Sequence, residues 1–422
     1  MIARRLASLV VSALVLAACS GHGQPATPAL PNPVIPDVVQ KGGGGQFVQF
    51  TPKTLGALYS AIVQGPDGNM WFLDENAAQL VRMSMSGTIK EFNIEAELPG
   101  NAVSMAVGPD GKLYISDEAT SITRVTTNGT AVQIPIPSGD STAIDGLAAG
   151  PDGNVWFAEF MHIAKVTPGG VVTEFPYPSG INQYGGVTTG SDGNVWFAQS
   201  AQNQIGRINP TTGVIKMFTI SASCTPASVV LAKDNNVWFF CLTSAPTLGK
   251  ITPSGNITTY NIGGTFGSNE TEQFCARGPD GEPWCAAGND GTIFRVNTSA
   301  HTVTTFTPPL SPGARPDAVA AGPDGNIWMD SVGGDIDVLV IDPMKVAPNK
   351  LTFSGTGQMM TITVSEKGVA SWTASSTNTS VATVAQGGSA STFDVTSVGV
   401  GTCKVKISDS VGNSVSVNVT VM

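Results

Sequence analysis

Hydrophobic positions in this chain come in short runs separated by tight polar turns. Past the first eighteen residues no stretch keeps a helical period, so the pattern predicts strands throughout. The runs recur in register. Gly65-Pro66-Asp67-Gly68-Asn69-Met70-Trp71-Phe72 returns with the same hydrophobic tail around Tyr114, Trp156, Trp196, Trp238, Trp284 and Trp328, at spacings between 40 and 46. The copy before Trp238 is degraded, reading Ala232-Lys233-Asp234-Asn235-Asn236. Each copy reads as four strands. An apolar strand enters Pro-Asp-Gly, where Pro presets φ and Gly accepts a positive φ. A strand apolar on both faces follows, then a third such as Ile163 to Val166. The fourth ends near Phe92, Phe175, Phe218, Tyr260 or Phe306. Seven copies of four strands at a period near 42 predict an all-β, seven-bladed β-propeller over 46–342.

The seventh copy runs out at Ile341-Asp342-Pro343 without a fourth strand, while an orphan match, Phe47-Val48-Gln49-Phe50-Thr51-Pro52, precedes the first. An N-terminal strand completing the last blade would join the two ends of the ring and remove an open edge.

From Val346 the turn pattern vanishes and short alternating strands take over, among them Leu351 to Phe353, Met360 to Val364, Val381 to Val384, Thr402 to Ile407 and Val415 to Val421. About seven strands in this length fit a small sandwich. The stretch from Ser371 to Val384, with Gly399-Val400-Gly401-Thr402-Cys403, resembles the bacterial Ig-like repeats of surface proteins. An Ig-like β-sandwich over 343–422 is therefore expected, serving as a spacer or adhesive element.

The opening residues, Met1 to Arg5 and then an apolar run from Leu6 to Ala18, form a basic head and a core too short to remain as a membrane span. Leu16-Ala17-Ala18-Cys19 resembles the lipobox of bacterial lipoproteins, which implies a signal peptide over 1–18 and acylation of Cys19. Residues 19–45, rich in Pro and then in Gly, read as a tether. The expected partner is the membrane, reached through a lipid anchor, and the expected location is exported, in the periplasm or on the cell surface.

Composition narrows the function classes. Net charge is −10, and loss of Arg4 and Arg5 with the signal makes it two units more negative. A chain so poor in Lys and Arg is not a nucleic-acid binder. Phosphate-binding glycine loops are also missing. An exported chain can form disulfides, and Cys224, Cys241, Cys275 and Cys285 flank two successive repeat turns, which suggests two local pairs and an unpaired Cys403, although four cysteines permit three pairings.

The repeats resemble those of the virginiamycin B (streptogramin B) lyases. The likeness is carried by Asp152-Gly153-Asn154-Val155-Trp156-Phe157-Ala158-Glu159, Ile205-Gly206-Arg207-Ile208 and Glu174-Phe175-Pro176. The resemblance implies a C–O lyase that opens a cyclic depsipeptide antibiotic by elimination, assisted by magnesium, with histidine and glutamate side chains at one end of the central channel. It places the histidines five residues before the Gly-Pro-Asp-Gly turn, where this chain has Ser60, Val103, Asp145, Gly185, Ala227, Gln273 and Asp317. It places the glutamate three residues after the repeat aromatic, where Glu159 matches, Asp74 and Asp117 offer a shorter acid, and Gln199, Cys241, Ala287 and Ser331 do not.

Elimination needs a base poised near neutral pH, which imidazole suits. The chain's histidines are His22 in the tether, His162 between two strands and His301 in a turn. Asp145 and Glu159 are then the candidate catalytic acids, against the simpler reading of both as strand-end caps. Ser60, Asp74, Asp117, Asp145, Glu159, Gln273 and Asp317 make a candidate ligand-binding rim, with Glu270 and Glu272 beside Gln273. Aspartates of the Pro-Asp-Gly type are expected to form turns, and the repeat tryptophans to pack. Two function classes follow. One is a non-catalytic envelope propeller that binds a small molecule, glycan or protein at its rim. The other is a divergent lyase or lactonase-like enzyme using carboxylates and a divalent cation, magnesium by resemblance.

Overall fold

The structure, a computed structural model, describes residues 38–42, 45–50, 59–74, 79–98, 102–117, 120–139, 146–180, 185–220, 224–241, 247–261, 275–287, 290–311, 314–332, 334–340, 345–365, 372–409 and 414–422. The expected signal peptide, Cys19, Asp145 and Gln273 lie outside these residues, and of Ser60, Val103 and Asp117 only the backbone is described. No described helix is long and apolar enough to cross a membrane.

Strands dominate among the described residues, with single 3₁₀ turns at Glu95–Glu97 and Ser200–Gln202. Between residues 45 and 340 the repeat units each form one up-and-down antiparallel sheet, and these sheets are numbered here in chain order. The third is typical: Leu147–Ala149, Val155–Ala158, His162–Val166 and Val172–Pro176 pair in that order. The first strands of all seven sheets line one cavity of about 180 Å³, contributing Ala61, Ser104, Leu147, Val187, Ser228, Ala276 and Ala318 among others. The first strand is therefore the inner one, and the architecture is that of a β-propeller.

Packing between sheets explains why the second strands are apolar on both faces. Met70–Asp74 and Val195–Gln199 are buried at every position. Each sheet shares a hydrophobic cluster with its successor, such as the Tyr114, Ile122, Phe157 and Ala164 cluster between the second and third. One cluster joins the last sheet to the first, with Trp328 and Val338 against Ile62 and Phe72.

The seventh sheet takes its fourth strand from the N-terminal side. Gly45–Phe50 pairs antiparallel with Ile336–Val340, and Phe50 stacks on Trp328 at 5.9 Å, the place other outer-strand aromatics fill on their own tryptophans. A fifth strand, Val38–Gly42, pairs outside it in a stretch expected to be pure tether. An edge strand needs only backbone hydrogen bonds on one side, which Val38-Val39-Gln40-Lys41 can make without a core of its own.

The turn aspartates do more than turn the chain. Asp152 accepts hydrogen bonds from the Trp156 indole at 2.9 Å, from Asn154 at 2.7 Å and from Lys165 at 2.9 Å. Lys165 in turn lies over the Trp156 ring. Burial pushes the Asp152 carboxyl up, but these donors outweigh it and hold it below the ordinary range. The Asp–Trp bond recurs at 67/71, 192/196, 234/238, 280/284 and 324/328, with Asp110 taking the Tyr114 hydroxyl. In the degraded copy Asn235 sits at φ 64°, where the other turns use Gly. Asn tolerates that left-handed backbone better than most side chains.

The described strands between residues 345 and 421 form two four-stranded sheets sharing one core that includes Leu351, Phe353, Ile362, Phe393, Val405 and Val419. Lys350–Phe353 runs parallel to Ser414–Val421, and the other pairs are antiparallel. Cys403 is a buried free thiol in this core, whereas Cys224 is bonded to Cys241 and Cys275 to Cys285.

Candidate functional site

The two positions singled out by family resemblance meet at one end of the propeller. An inner strand begins where its neighbouring second strand ends, so Tyr59 pairs with Asp74, Ala102 with Asp117, Pro226 with Cys241 and Pro316 with Ser331. In all four sheets the register slips just there, at Ser60, Val103, Ala227–Ser228 and Asp317–Ala318. A bulge re-aims a side chain out of the pleat, and this is the position that carries histidine by resemblance. The remaining three positions, 145, 185 and 273, precede their inner strands. The paired positions are thus Ser60/Asp74, Val103/Asp117, Asp145/Glu159, Gly185/Gln199, Ala227/Cys241, Gln273/Ala287 and Asp317/Ser331. None supplies an imidazole.

Most second positions are buried. Asp74 is 3% exposed, and Glu159, Gln199 and Ser331 are fully buried. Gln199 donates to the Ser179 carbonyl at 3.0 Å. The Ser331 hydroxyl donates to the Asp335 carbonyl at 3.0 Å and accepts from the Asp335 N–H at 3.1 Å. Cys241 is tied to Cys224 in the approach to the inner strand. Asp317 is half-buried. Of the candidate rim acids, Asp74 and Glu159 are therefore buried rather than exposed.

Glu159 sits at the centre of a group that its neighbours in sequence do not reveal. Its N–H donates to the His162 carbonyl at 2.8 Å across a short turn, and its carbonyl accepts from the Tyr177 hydroxyl at 3.1 Å. His162 Nδ1 lies 3.4 Å from Glu159 Oε2. Glu174, opposite Ala164 on the outer strand, brings a carboxylate oxygen to the same point, and its Oε1 accepts the Ser138 N–H at 3.1 Å. Donor atoms of Glu159, His162 and Glu174 all lie within 4.8 Å of one another. A register argument could have found them, since the Gly169-Gly170 turn fixes the hairpin that puts residues 162 and 174 on one face.

The seventh sheet holds a second set of acids, also unforeseen. Asp330, Asp335 and Asp337 are at most 1% exposed. Burial raises Asp330 to about 7, although its Oδ1 accepts the Ala318 N–H at 2.7 Å and so caps the bulge beside Asp317. Burial raises Asp337 to about 7 as well, and the nearby Asp335 charge adds to it. Asp335 Oδ2 accepts the Ser311 N–H at 3.0 Å.

The magnesium ion implied by resemblance demands several oxygen ligands in near-octahedral array. Asp74 and Glu159 belong to different sheets, and the one cluster of three potential ligands among the described residues includes an imidazole. The described residues therefore fit magnesium poorly.

Fold and site define a β-propeller with a polar end where inner-strand bulges face buried second-strand ends. The sequence signature of the Virginiamycin B lyase family matches residues 38–239 and 178–396, and the chain belongs to that family. A streptogramin B lyase structure is similar at TM-score 0.61 and 24% identity, over 69% of this chain and 96% of that one. The virginiamycin B lyase from Staphylococcus aureus gives 0.62 and 22%, over 69% and 98%. A catalytically inactive variant of that enzyme has been solved with quinupristin. The extracellular domain of a putative one-component system from B. thetaiotaomicron, at TM-score 0.53 and 11% identity, covers 90% of this chain and 62% of its own. At these identities the likenesses describe fold alone. No curated protein matches the chain in sequence.

Proposed function

We propose that this chain is a lipid-anchored envelope protein whose seven sheets are the blades of a closed ring and whose bulge-bearing end binds a small molecule, a glycan or a protein, without the family's elimination. The observation that carries this reading is that none of the seven positions where the resemblance places histidine has one, in a chain that otherwise belongs to the family. Without imidazole at these inner-strand positions, the end of the propeller can still present a recognition surface but lacks the base the family places there. The lipobox-like Leu16-Ala17-Ala18-Cys19, the Pro-rich tether and a C-terminal sandwich of Ig-like type support display at the envelope, in the periplasm or on the surface. In this reading 1–18 is the signal, the tether runs from Cys19 to about residue 37, the propeller begins with the strand at Val38, and the Ig-like module follows residue 342.

The binding reading is tested by probing arrays of glycans and cyclic peptides with the soluble chain and with its Asp145→Ala and Asp317→Ala variants. Binding that the variants lose supports the ring end as the ligand site. Binding that both variants keep in full overturns it. A second reading, a divergent lyase or lactonase-like hydrolase dependent on carboxylates and a divalent cation, is favoured by the Glu159–His162–Glu174 cluster. It requires turnover that a chelator abolishes and the cation restores.

A further inference from the structure

We infer that Glu159, His162 and Glu174 form a binding site for one divalent metal ion of the zinc class, in the crevice between the second and third sheets. This goes beyond the ligand-binding reading and does not depend on it. The three residues belong to one sheet but to three different parts of it: the end of the second strand, the start of the third and the outer strand. Side chains alternate along strands, so Glu159 shares a face with Phe157, His162 with Ala164, and Glu174, opposite Ala164, with both. Phe157 and Ala164 pack against Tyr114 and Ile122 of the second sheet, which fixes the crevice they face.

Distance separates a metal site from a simple ion pair. A charge-assisted N–H···O bond is usually about 2.7–2.9 Å long, whereas His162 Nδ1 stands 3.4 Å from Glu159 Oε2. Two ligand atoms each about 2.1 Å from a tetrahedral ion are about 3.4 Å apart. Glu174 brings the third donor inside 4.8 Å of both.

The surroundings orient these ligands as metal sites require. Ser138, in the segment after the outer strand of the second sheet, donates its N–H to Glu174, while Tyr177 holds the backbone of Glu159. Glu159 is fully buried, and a divalent ion offsets the cost of burying its charge. Imidazole with two carboxylates suits zinc-class ions rather than magnesium. His162 and Glu174 are partly exposed, which leaves a fourth position open to water.

The test uses protein beginning at Ser20, which keeps every residue the structure describes. It is stripped with a chelator, dialysed and titrated calorimetrically with Zn²⁺, and metal content is measured by mass spectrometry. The expected result is one equivalent of Zn²⁺, undisturbed by equimolar Mg²⁺. Affinity should fall at least about tenfold in His162→Ala and in Glu174→Gln, and stay unchanged in Glu91→Gln on the first sheet. Circular dichroism checks that each variant is folded. Folded wild-type protein that binds no stoichiometric Zn²⁺ overturns the site, as does equal binding by the His162 and Glu174 variants. Neither measurement involves an organic ligand, so failure here is distinct from failure of the ring-end reading.

Discussion

Asp337→Asn should stabilise this protein, and by an amount that grows with pH. Asp337 lies opposite Gln49 and Met329 in the seventh sheet and is fully buried. The Gln49 amide gives its carboxylate some relief, but Gln49 Nε2 also donates to the Pro309 carbonyl at 3.1 Å. Burial first, then the Asp335 charge, raises Asp337 from 3.8 to about 7. An acid with a raised folded-state pKa binds its proton more tightly folded than unfolded. Its stabilising contribution is complete below the unfolded value and is lost as pH rises through the folded one. Linkage over that shift puts the cost of Asp337 relative to a neutral isostere at about 2 kcal/mol at pH 5 and about 4 kcal/mol at pH 8. Guanidinium unfolding followed by tryptophan fluorescence reads mainly the propeller, because six of the seven tryptophans are the repeat residues. Measured at both pH values, the advantage of the variant should widen by about 2 kcal/mol. An advantage that does not change with pH would refute the burial argument. Destabilisation that deepens toward pH 8 would mean the charged carboxylate is favoured where it stands.

Asp152→Ala removes the acceptor for Trp156, Asn154 and Lys165 together, and should cost about 1–3 kcal/mol by urea unfolding at pH 7. Asp67, Asp110, Asp152 and Asp192 are all held low by their donors despite burial, so they stabilise the fold above pH 3.8 and cease to do so as pH falls through their depressed values. Stability measured from pH 5 downward should therefore fall less steeply in Asp152→Ala than in the wild type. The Cys224→Ser, Cys241→Ser double variant opens a cross-link of sequence separation 17 and should lose about 3 kcal/mol, read as a lower denaturant midpoint. Removal of residues 38–50 takes Phe50 from Trp328 and bares the edge of Ile336–Val340, so that protein should aggregate in light scattering where the full chain stays dispersed.

Turn chemistry made the fold readable. Pro-Asp-Gly marks a backbone conformation few sequences satisfy, and its regular return told of sheets rather than helices. Phe50 stood out because it copies the motif of Phe92 and Phe175 with no turn before it. Val38–Gly42 left no such trace, since an outer strand held by backbone bonds imposes little on its side chains. The Asp–Trp bond also escaped notice: nothing in the spacing of Asp152 and Trp156 says that the turn folds a carboxylate back onto an indole. In four sheets the inner positions that the resemblance singles out coincide with register bulges, at Ser60, Val103, Ala227 and Asp317. Burial was the missing quantity. Glu159 reads as a rim acid until its face of the sheet is known, and only register brings His162 and Glu174 to it. Nothing in the sequence pattern marks Asp330 and Asp337, for the same reason.

The central claim, a family member that recognises without eliminating, is most directly tested with streptogramin B itself. Protein beginning at Ser20 is incubated with the antibiotic and either Mg²⁺ or Zn²⁺, and the products are followed by chromatography with mass detection. Elimination opens the ring without changing its mass and shifts the retention time, whereas hydrolysis adds one water. The account predicts antibiotic of unchanged mass and retention under both conditions. A product of unchanged mass and shifted retention would contradict it, and would mean that the family's chemistry proceeds with carboxylates where histidines are expected.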